Sequence, residues 1–244
     1  MQLTSVILVG GGRMGKLIAQ KLDADGGFAV EGIYDVDNAD ELDGRAPVVD
    51  LVIDFSNKAG LPHVLAYVER TGAALVSGTT GFDDEELGRL RALGQKTRVI
   101  HSFNYSLGVA ALKRACAQAA LALGEWDCEI VETHHNKKVD APSGTAIMIA
   151  EAINEELGGK DHFVYDRHSV RKPRDKDEIG MHAIRGGTIV GEHDIIFAGH
   201  DEVITLSHSA QSREVFANGA VNAAVFLAGK PAGMYAMSDL IKEA

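Results

Sequence analysis

The chain has 244 residues, and its 24 Lys and Arg against 35 Asp and Glu give a formal net charge of −11 at pH 7. Nucleic acids and anionic membranes bind basic surfaces, so this acidic balance argues against both as partners. The composition, 45% hydrophobic and 24% charged, is that of a chain that folds throughout, and the length allows one large domain or two smaller ones.

The first part of the chain alternates short apolar strands with helical segments. A strand is predicted at residues 3–9, a helix from Met14 to about Leu22 and a second strand at residues 28–34, which together form a βαβ unit. Further strands are predicted at residues 48–55, 73–77 and 97–101, with helices between them at residues 59–71 and 83–93. This alternation is typical of an α/β protein with a Rossmann-type doubly wound parallel sheet.

The pattern changes after a long helix predicted at residues 107–123. The segments that follow are a strand at 128–133, a helix at 143–157 and strand-like stretches near 179–189, 192–197 and 202–207. They indicate a second, α+β domain whose sheet is mixed or antiparallel. Residues 165–178 are dense in charge, and we expect an exposed excursion there, with a mobile loop over the site as the alternative.

The end of the chain is predicted to rejoin the first domain. A helix at residues 214–227 is rich in Ala and apolar side chains, and we expect it to cover the parallel sheet. The predicted domains are therefore residues 1–105 together with 214–244, and residues 106–213.

The cellular setting follows from the N-terminus and the cysteines. The first residues lack the basic and apolar regions of a signal peptide, and no segment reaches the roughly 18 apolar residues that cross a bilayer. Cys116 and Cys128 show no CxxC spacing and are interpreted as structural, which favours a reducing compartment. We expect a cytoplasmic protein without membrane contact.

A glycine-rich turn follows the first predicted strand and opens the first helix. The run Gly10-Gly11-Gly12-Arg13-Met14-Gly15 satisfies GxGxxG, and Asp35 ends the next strand, where a carboxylate can bind the adenosine ribose. The alternative is a glycine-rich turn that binds something else. Because Asp35 repels a 2′-phosphate, NADH is the preferred cofactor; Arg13 could reach that phosphate, so NADPH stays open.

Two further loops follow predicted parallel strands. They are Ser77-Gly78-Thr79-Thr80-Gly81 and Ser102-Phe103-Asn104-Tyr105, and Asp54-Phe55-Ser56 ends another strand in the same way. Open α/β sheets bind ligands at the carboxyl ends of their strands, so these loops are candidates to flank a nicotinamide. The alternative is that they are ordinary turns.

Residues 132–146 concentrate two imidazoles and two ammonium groups in an otherwise acidic chain. Pro142-Ser143-Gly144-Thr145 opens a helix there, so backbone N–H groups and the helix dipole can receive a carboxylate, and a neighbouring histidine can supply a proton. A metal site is disfavoured, because adjacent histidines on an extended chain face opposite ways and no HExxH is present. A polar surface loop is the remaining alternative.

Motifs along nearly the whole chain resemble those of the 4-hydroxy-tetrahydrodipicolinate reductase (dihydrodipicolinate reductase) family. They are GGGRMG, GTTGF, HHNKKVDAPSGTA, RGGTIVGEH and HSAQSREVFANGA. The resemblance implies NAD(P)H-dependent reduction of 4-hydroxy-tetrahydrodipicolinate to tetrahydrodipicolinate, by hydride transfer and protonation with loss of water, in diaminopimelate and lysine synthesis. It also implies a small cyclic dicarboxylate as substrate and a homotetramer formed through the second domain.

The resemblance also assigns roles to individual residues. His134 is implied as the proton donor or acceptor and Lys138 as a second catalytic or substrate-orienting cation. His135, Gly144 and Thr145 are implied to bind the substrate carboxylates, and Ser143 is predicted to bind with them. The implied cofactor-binding residues are Val9, Gly10, Gly11, Gly12, Arg13, Met14, Asp35, Gly78, Thr79, Thr80, Ser102, Phe103, Asn104 and Tyr105.

The sequence departs from the family pattern at two places. Val9 stands where many members carry another glycine, which leaves GxGxxG intact. Asn136-Lys137 replaces the more usual Arg-His, which removes one imidazole and puts a proton-relay role at position 137 in doubt. The alternatives to this activity are reduction of another imine or semialdehyde with NAD(P)H, and a dinucleotide-sensing regulator without turnover.

Overall fold

The computed structural model describes residues 3–241, and within them the chain divides into two compact units. One unit extends through Leu107 and resumes at Glu214, and the other is Gly108–Arg213. Residues 1–2 and 242–244, which were predicted to belong to the first domain, lie outside the described residues. No helix among residues 3–241 has the length and apolarity needed to cross a bilayer.

The secondary structure alternates as the sequence predicted in the first unit. The strands of the described residues are β1 Thr4–Val9, β2 Phe28–Tyr34, β3 Leu51–Asp54, β4 Ala74–Ser77, β5 Arg98–His101, β6 Asp127–His134, β7 His162–Val164, β8 Glu178–Arg185, β9 Gly191–Ala198, β10 Val203–Ala210 and β11 Gly233–Tyr235. The α-helices are α1 Arg13–Asp25, α2 Leu61–Thr71, α3 Asp84–Leu93, α4 Leu107–Leu123, α5 Gly144–Glu156 and α6 Glu214–Leu227. Short 3-10 turns lie at Ala39–Asp43, Lys58–Gly60 and Met237–Leu240.

The first unit is built on a parallel sheet, which confirms the predicted fold class. Its described strands are ordered β11-β5-β4-β3-β1-β2, and every neighbouring pair is parallel. All residues of β3 and β4 are buried, as expected for strands covered on both faces. Helix α6 contacts α1 and the strands β3, β4 and β5, so it covers the sheet as predicted.

The second unit carries a mixed sheet. Its described strands are ordered β10-β9-β6-β8-β7; β8 is parallel to β6 and β7, and β9 is antiparallel to β6 and β10. Side chains of β6 alternate between buried and half-buried from Cys128 onward, which places Cys128 and Ile130 in a core with Ile149 and Ile153 of α5. Cys116 and Cys128 are free and buried, and burial raises the pKa of each thiol to about 12.

Several predicted boundaries were wrong. The strand predicted at 48–55 is shorter, because the pairing of β3 with β1 begins only at Leu51, and Val48 is exposed. The stretch near 179–189 leaves the sheet after Arg185, where Gly187 adopts a positive φ of 50°. The strands β7 and β11 were missed, since three residues give too little periodicity to detect.

The charged segment 165–178 is mostly exposed, as predicted, but it is tied to the sheet at defined points. Arg167 and Arg174 both form ion pairs with Glu129 on β6. Glu178, the last residue of the segment, is buried and begins β8. The segment is therefore an exposed excursion whose arginines anchor it to the second sheet.

Candidate active site

The glycine turn after β1 has the backbone geometry of a dinucleotide-binding loop. Gly10 has a φ of 104°, and a Cβ atom there would lie 2.4 Å from the carbonyl oxygen of Phe55. A Cβ on Gly15 would lie 1.8 Å from the carbonyl oxygen of Gly10, so α1 packs tightly on the turn. No atom lies within 4 Å of a Cβ placed on Gly12. The GxGxxG motif has three requirements: a tight turn, close packing of the helix and an open approach for the pyrophosphate.

Asp35 lies beside this turn, directly after β2. Its Oδ2 accepts a hydrogen bond of 2.8 Å from the N–H of Gly11, and its Oδ1 accepts one of 2.9 Å from the N–H of Val36. The carboxylate is thus held at the edge of the glycine loop, where it can accept hydrogen bonds from the hydroxyl groups of a ribose. Arg13 is exposed at the start of α1, and Val9 is buried at the end of β1.

The ends of β3 and β4 are cross-linked by buried polar groups. Thr79 Oγ1 accepts a hydrogen bond of 2.9 Å from the N–H of Ser56, and the Asp54 carboxylate accepts from the hydroxyls of Ser56 and Ser77 at 2.5 and 3.4 Å. Burial raises the pKa of Asp54 despite these bonds. A Cβ on Gly78 would lie 2.4 Å from the Phe55 ring, whereas Thr80 is exposed. The buried Thr79 side chain therefore holds the loop after β4 against the loop after β3.

The loop after β5 presents some predicted residues and buries one. Ser102 Oγ donates a hydrogen bond of 2.7 Å to the carbonyl oxygen of Asn104, and Phe103 is 53% exposed. The Tyr105 side chain is 2% exposed and its hydroxyl donates to the carbonyl oxygen of Ser77 at 2.8 Å. Tyr105 consequently leaves only its backbone for a ligand.

His134 ends β6 and is held by a buried carboxylate. Its Nδ1 lies 2.6 Å from Glu132 Oε2, and Glu132 is fully buried. Arg185, at the end of β8, donates to both oxygens of Glu132, at 2.8 and 2.7 Å. Burial works to raise the pKa of Glu132, but the bonds from Arg185 and His134 outweigh it and lower that pKa. Burial lowers the pKa of His134, and the Glu132 charge offsets part of this effect.

Ser143 joins the same network and caps α5. Its N–H donates to Glu132 Oε1 at 3.0 Å, and its hydroxyl accepts from the N–H of Ala146 at 3.1 Å. The hydroxyl also lies 2.9 Å from Nε2 of His193, a buried residue of β9 whose ring is 5.3 Å from that of His134. Burial, followed by the charge of His134, lowers the pKa of His193 to about 4.

The remaining predicted substrate residues surround this network. Lys138 Nζ donates to Asp140 at 2.8 Å, and the N–H of Lys138 donates to the carbonyl oxygen of His135 at 3.1 Å. Arg213 Nη2 lies 3.3 Å from His135 Nε2. Gly144 and Thr145 head α5, with Gly144 exposed and open. The charges of Lys138 and Arg185 both act on His134, the residue that shares Glu132 with the first turn of α5.

Sequence reasoning missed Glu132, Arg185 and His193. Glu132 lies two residues before His134 on a strand, so the two share one face, and that spacing could have revealed it. Arg185 and His193 lie at the two ends of the RGGTIVGEH motif, but they are 53 and 50 residues from their partners, so no local spacing pairs them with Glu132 and Ser143. Within residues 3–241, no group of three or more His, Cys, Asp or Glu side chains is arranged to hold a metal ion.

Comparison with known sequences decides the family. A family profile described as "Dihydrodipicolinate reductase, N-terminus" matches residues 4–105, and one described as "Dihydrodipicolinate reductase, C-terminus" matches residues 108–241. The chain belongs to the dihydrodipicolinate reductase family. Neither alternative activity, another imine reductase or a sensing regulator, is favoured by these matches.

Individual members of the dihydrodipicolinate reductase family are similar over almost the full length. A 4-hydroxy-tetrahydrodipicolinate reductase from Caldanaerobacter subterraneus subsp. tengcongensis is 44% identical over 239 residues, which cover 95% of each chain. One from Caulobacter vibrioides is 43% identical over 240 residues, covering 94% of this chain and 93% of the relative.

Solved structures support the same fold. A dipicolinate-bound dihydrodipicolinate reductase from Paenisporosarcina sp. TG-14 superposes with a TM-score of 0.75 at 21% identity, covering 98% of this chain and 100% of the other. A DAP dehydrogenase from C. glutamicum gives a TM-score of 0.55 at 15% identity, covering 100% and 97%. The pairing of a Rossmann-type unit with a second sheet unit therefore recurs beyond the family.

Proposed function

We propose that this chain reduces 4-hydroxy-tetrahydrodipicolinate to tetrahydrodipicolinate, with loss of water, in diaminopimelate and lysine synthesis. The observation that carries the proposal is the arrangement at His134, whose imidazole is bonded to a buried carboxylate that also holds the N-terminus of α5. A proton donor and an anion-binding helix end are thereby combined in one site. Reduction of a cyclic dicarboxylate uses both, because the helix end can bind a carboxylate and the imidazole can protonate the reduced ring.

The first unit supplies the cofactor site of this proposal. Gly10, Gly12 and Gly15 fit a dinucleotide, because they give the turn, the open approach and the close helix packing described above. A bound nicotinamide supplies the hydride. The loops at Gly78–Thr80 and Ser102–Asn104 follow β4 and β5 at the ligand-binding ends of the strands, which supports their assignment to the nicotinamide.

The second unit supplies the substrate side. The carboxylates bind to the amides of Gly144 and Thr145, which are N–H donors in the first turn of α5. Lys138, whose charge acts on His134, and His135, which lies beside Arg213, bind them with these amides. Ser143 acts by capping that helix. His134 gives its proton to the substrate as reduction leaves it electron-rich, which makes a neutral imidazole the product form.

A steady-state assay with freshly generated substrate tests this function. We expect oxidation of NADH to depend on substrate, His134→Gln to lower kcat by about 100-fold, and Lys138→Ala to lower kcat and raise the KM for substrate. His168→Gln and Lys160→Ala remove matching side chains from the surface and serve as controls. Wild-type turnover in both site variants, or no substrate-dependent oxidation in the parent protein, contradicts the proposal.

We propose NADH as the preferred cofactor, with NADPH also used. The support is Asp35, whose carboxylate is fixed beside the glycine loop and repels a 2′-phosphate. Arg13, the first residue of α1, is exposed, and its positive charge can partly offset this repulsion. A comparison of kcat/KM for NADH and NADPH on the same substrate decides the preference.

We also propose that the protein is a homotetramer assembled through the second unit. The support is apolar surface on its sheet: Ile184, Val203 and Ile204 are 51, 61 and 39% exposed. Sedimentation equilibrium measures the assembly, and a monomer at micromolar concentration contradicts it. The cytoplasmic location stays a prediction from the sequence.

A further inference from the structure

We infer that Glu132 is the positioning residue for proton transfer: its carboxylate keeps a proton on His134 Nδ1, so that Nε2 is the atom that gives a proton to the substrate. The reference to substrate rests on the proposed function. The assignment of the proton to Nδ1 does not, because it follows from contacts within the second unit.

The contacts of Glu132 require an ionised carboxylate. One oxygen accepts from Arg185 Nη1 at 2.8 Å and faces His134 Nδ1 at 2.6 Å; the other accepts from Arg185 Nη2 at 2.7 Å and from the N–H of Ser143 at 3.0 Å. A carboxylate with a bidentate arginine and an amide donor acts as an acceptor. His134 Nδ1 must then donate, which leaves the lone pair or the exchangeable proton on Nε2.

The surroundings of Nε2 suit this role. A Cβ atom on Gly191 would lie only 2.9 Å from His134 Nε2, so the glycine leaves room at that nitrogen. The His193 ring meets the His134 ring edge-on, at 5.3 Å and 78°, and limits its rotation. The imidazole is therefore fixed in position as well as in tautomer.

The same carboxylate couples the proton donor to the carboxylate-binding helix end. The N–H of Ser143 donates a hydrogen bond to one oxygen of Glu132, and the Ser143 hydroxyl caps α5. A shift of Glu132 would therefore move His134 and the start of α5 together. This arrangement follows the logic by which a third group orients a catalytic histidine.

The tautomer can be measured without substrate or cofactor. In the wild-type protein labelled with ¹⁵N-histidine, with His134→Gln used to assign the signals, we expect neutral His134 to show a protonated Nδ1 and a bare Nε2. A protonated Nε2 overturns the inference. Because no turnover is involved, a failure of the proposed function leaves this measurement decisive.

Kinetics of Glu132→Gln then test the consequence for catalysis. Among the described residues, the charged and titratable groups that face His134 are Glu132, Arg185, Lys138 and His193. Protonated His134 is the donor, so kcat falls as the pH rises through its pKa; removing the Glu132 charge lowers that pKa and moves the fall to lower pH. We expect kcat to decrease about 100-fold, with the KM for NADH changed less than about twofold.

Two further variants separate positioning from folding. Glu132→Asp keeps the charge and should recover part of kcat and the wild-type pH profile. Glu129→Gln removes a carboxylate that is paired with Arg167, Arg174 and His182 on the opposite face of β6, and should leave the His134 tautomer and the pH profile unchanged. A Glu132→Gln enzyme with kcat within about threefold of wild type, or with an unmoved profile, overturns the inference. If Glu132→Gln does not fold, the ¹⁵N measurement of the His134 tautomer in the wild-type protein decides whether the inference holds.

Discussion

Gly191 lies against the imidazole of His134, and a Cβ atom at Gly191 would be 2.9 Å from His134 Nε2. Gly191→Ala should therefore push the ring out of position while β9 is retained. Because displacement of a catalytic group by about 1 Å can cost roughly 100-fold, we expect kcat to fall by about that factor. Steady-state kinetics measure the loss, and thermal unfolding checks that the fold persists.

The control for this substitution is Gly186→Ala. Gly186 follows β8 near the same residues, but no atom lies within 4 Å of a Cβ placed there. Its kcat should match that of the parent protein. Equal activity in the Gly191 and Gly186 variants would show that the space at His134 Nε2 has no functional role.

Gly12 offers a test of the dinucleotide site that separates binding from folding. A Cβ at Gly12 meets no atom within 4 Å, so Gly12→Ala should keep the melting temperature. The added methyl group instead occupies the approach of the pyrophosphate, and we expect the Kd for NADH to rise at least about tenfold. Fluorescence titration measures it. Gly88→Ala, on α3 and equally open, is the matched control.

Gly15→Ala should give the opposite result. Its Cβ would lie 1.8 Å from the carbonyl oxygen of Gly10, so either the turn or α1 must move. We expect the free energy of unfolding, measured in urea, to fall by an amount typical of overpacking, about 1–3 kcal/mol. A variant with unchanged stability would contradict the packing of α1 on the turn.

Asp35 is expected to set the cofactor preference. Asp35→Asn keeps a group that can bond Gly11 but removes the charge that repels a 2′-phosphate. The ratio of kcat/KM for NADH to that for NADPH should fall about tenfold. Asp37→Asn removes the next carboxylate along the chain and should leave the ratio near its original value. An unchanged ratio in Asp35→Asn would refute the assignment.

His193 makes stability depend on pH. Its pKa is about 4 in the folded state against an ordinary 6.5, so the unfolded chain binds a proton that the folded protein excludes. The stabilisation is present above pH 6.5 and is lost as the pH falls toward 4. Between pH 7 and pH 5 the free energy of unfolding should decrease by about 2 kcal/mol through this residue.

The comparison of His193→Asn with the parent protein isolates that contribution, because carboxylates such as Glu132 also lose stabilisation in acid. Urea unfolding at both pH values should show a smaller decrease in the variant. His168→Asn removes a surface imidazole and serves as the control. Equal decreases in His193→Asn and the parent protein would contradict the buried neutral state of His193.

The sequence by itself determined the features that depend on neighbouring residues. Hydrophobic periodicity fixed the alternation of strands and helices in the first unit, since the period of a pattern is local. The run from Gly10 to Gly15 specified its turn because Gly10 and Gly15 stand where the backbone leaves no room for a Cβ atom. The same locality explains why residues 132–146 could be singled out before any fold was known.

Only the tertiary structure decided which distant groups meet. Glu132 accepts hydrogen bonds from Arg185 because β6 and β8 pair in parallel. Ser143 lies within hydrogen-bond distance of His193 because β9 pairs with the other edge of β6. Strand order and register are settled by packing of the whole sheet and leave no trace in short stretches of sequence. Glu132 lies in the segment that the sequence singled out, but its bonds to Arg185 could be seen only once the second sheet was assembled.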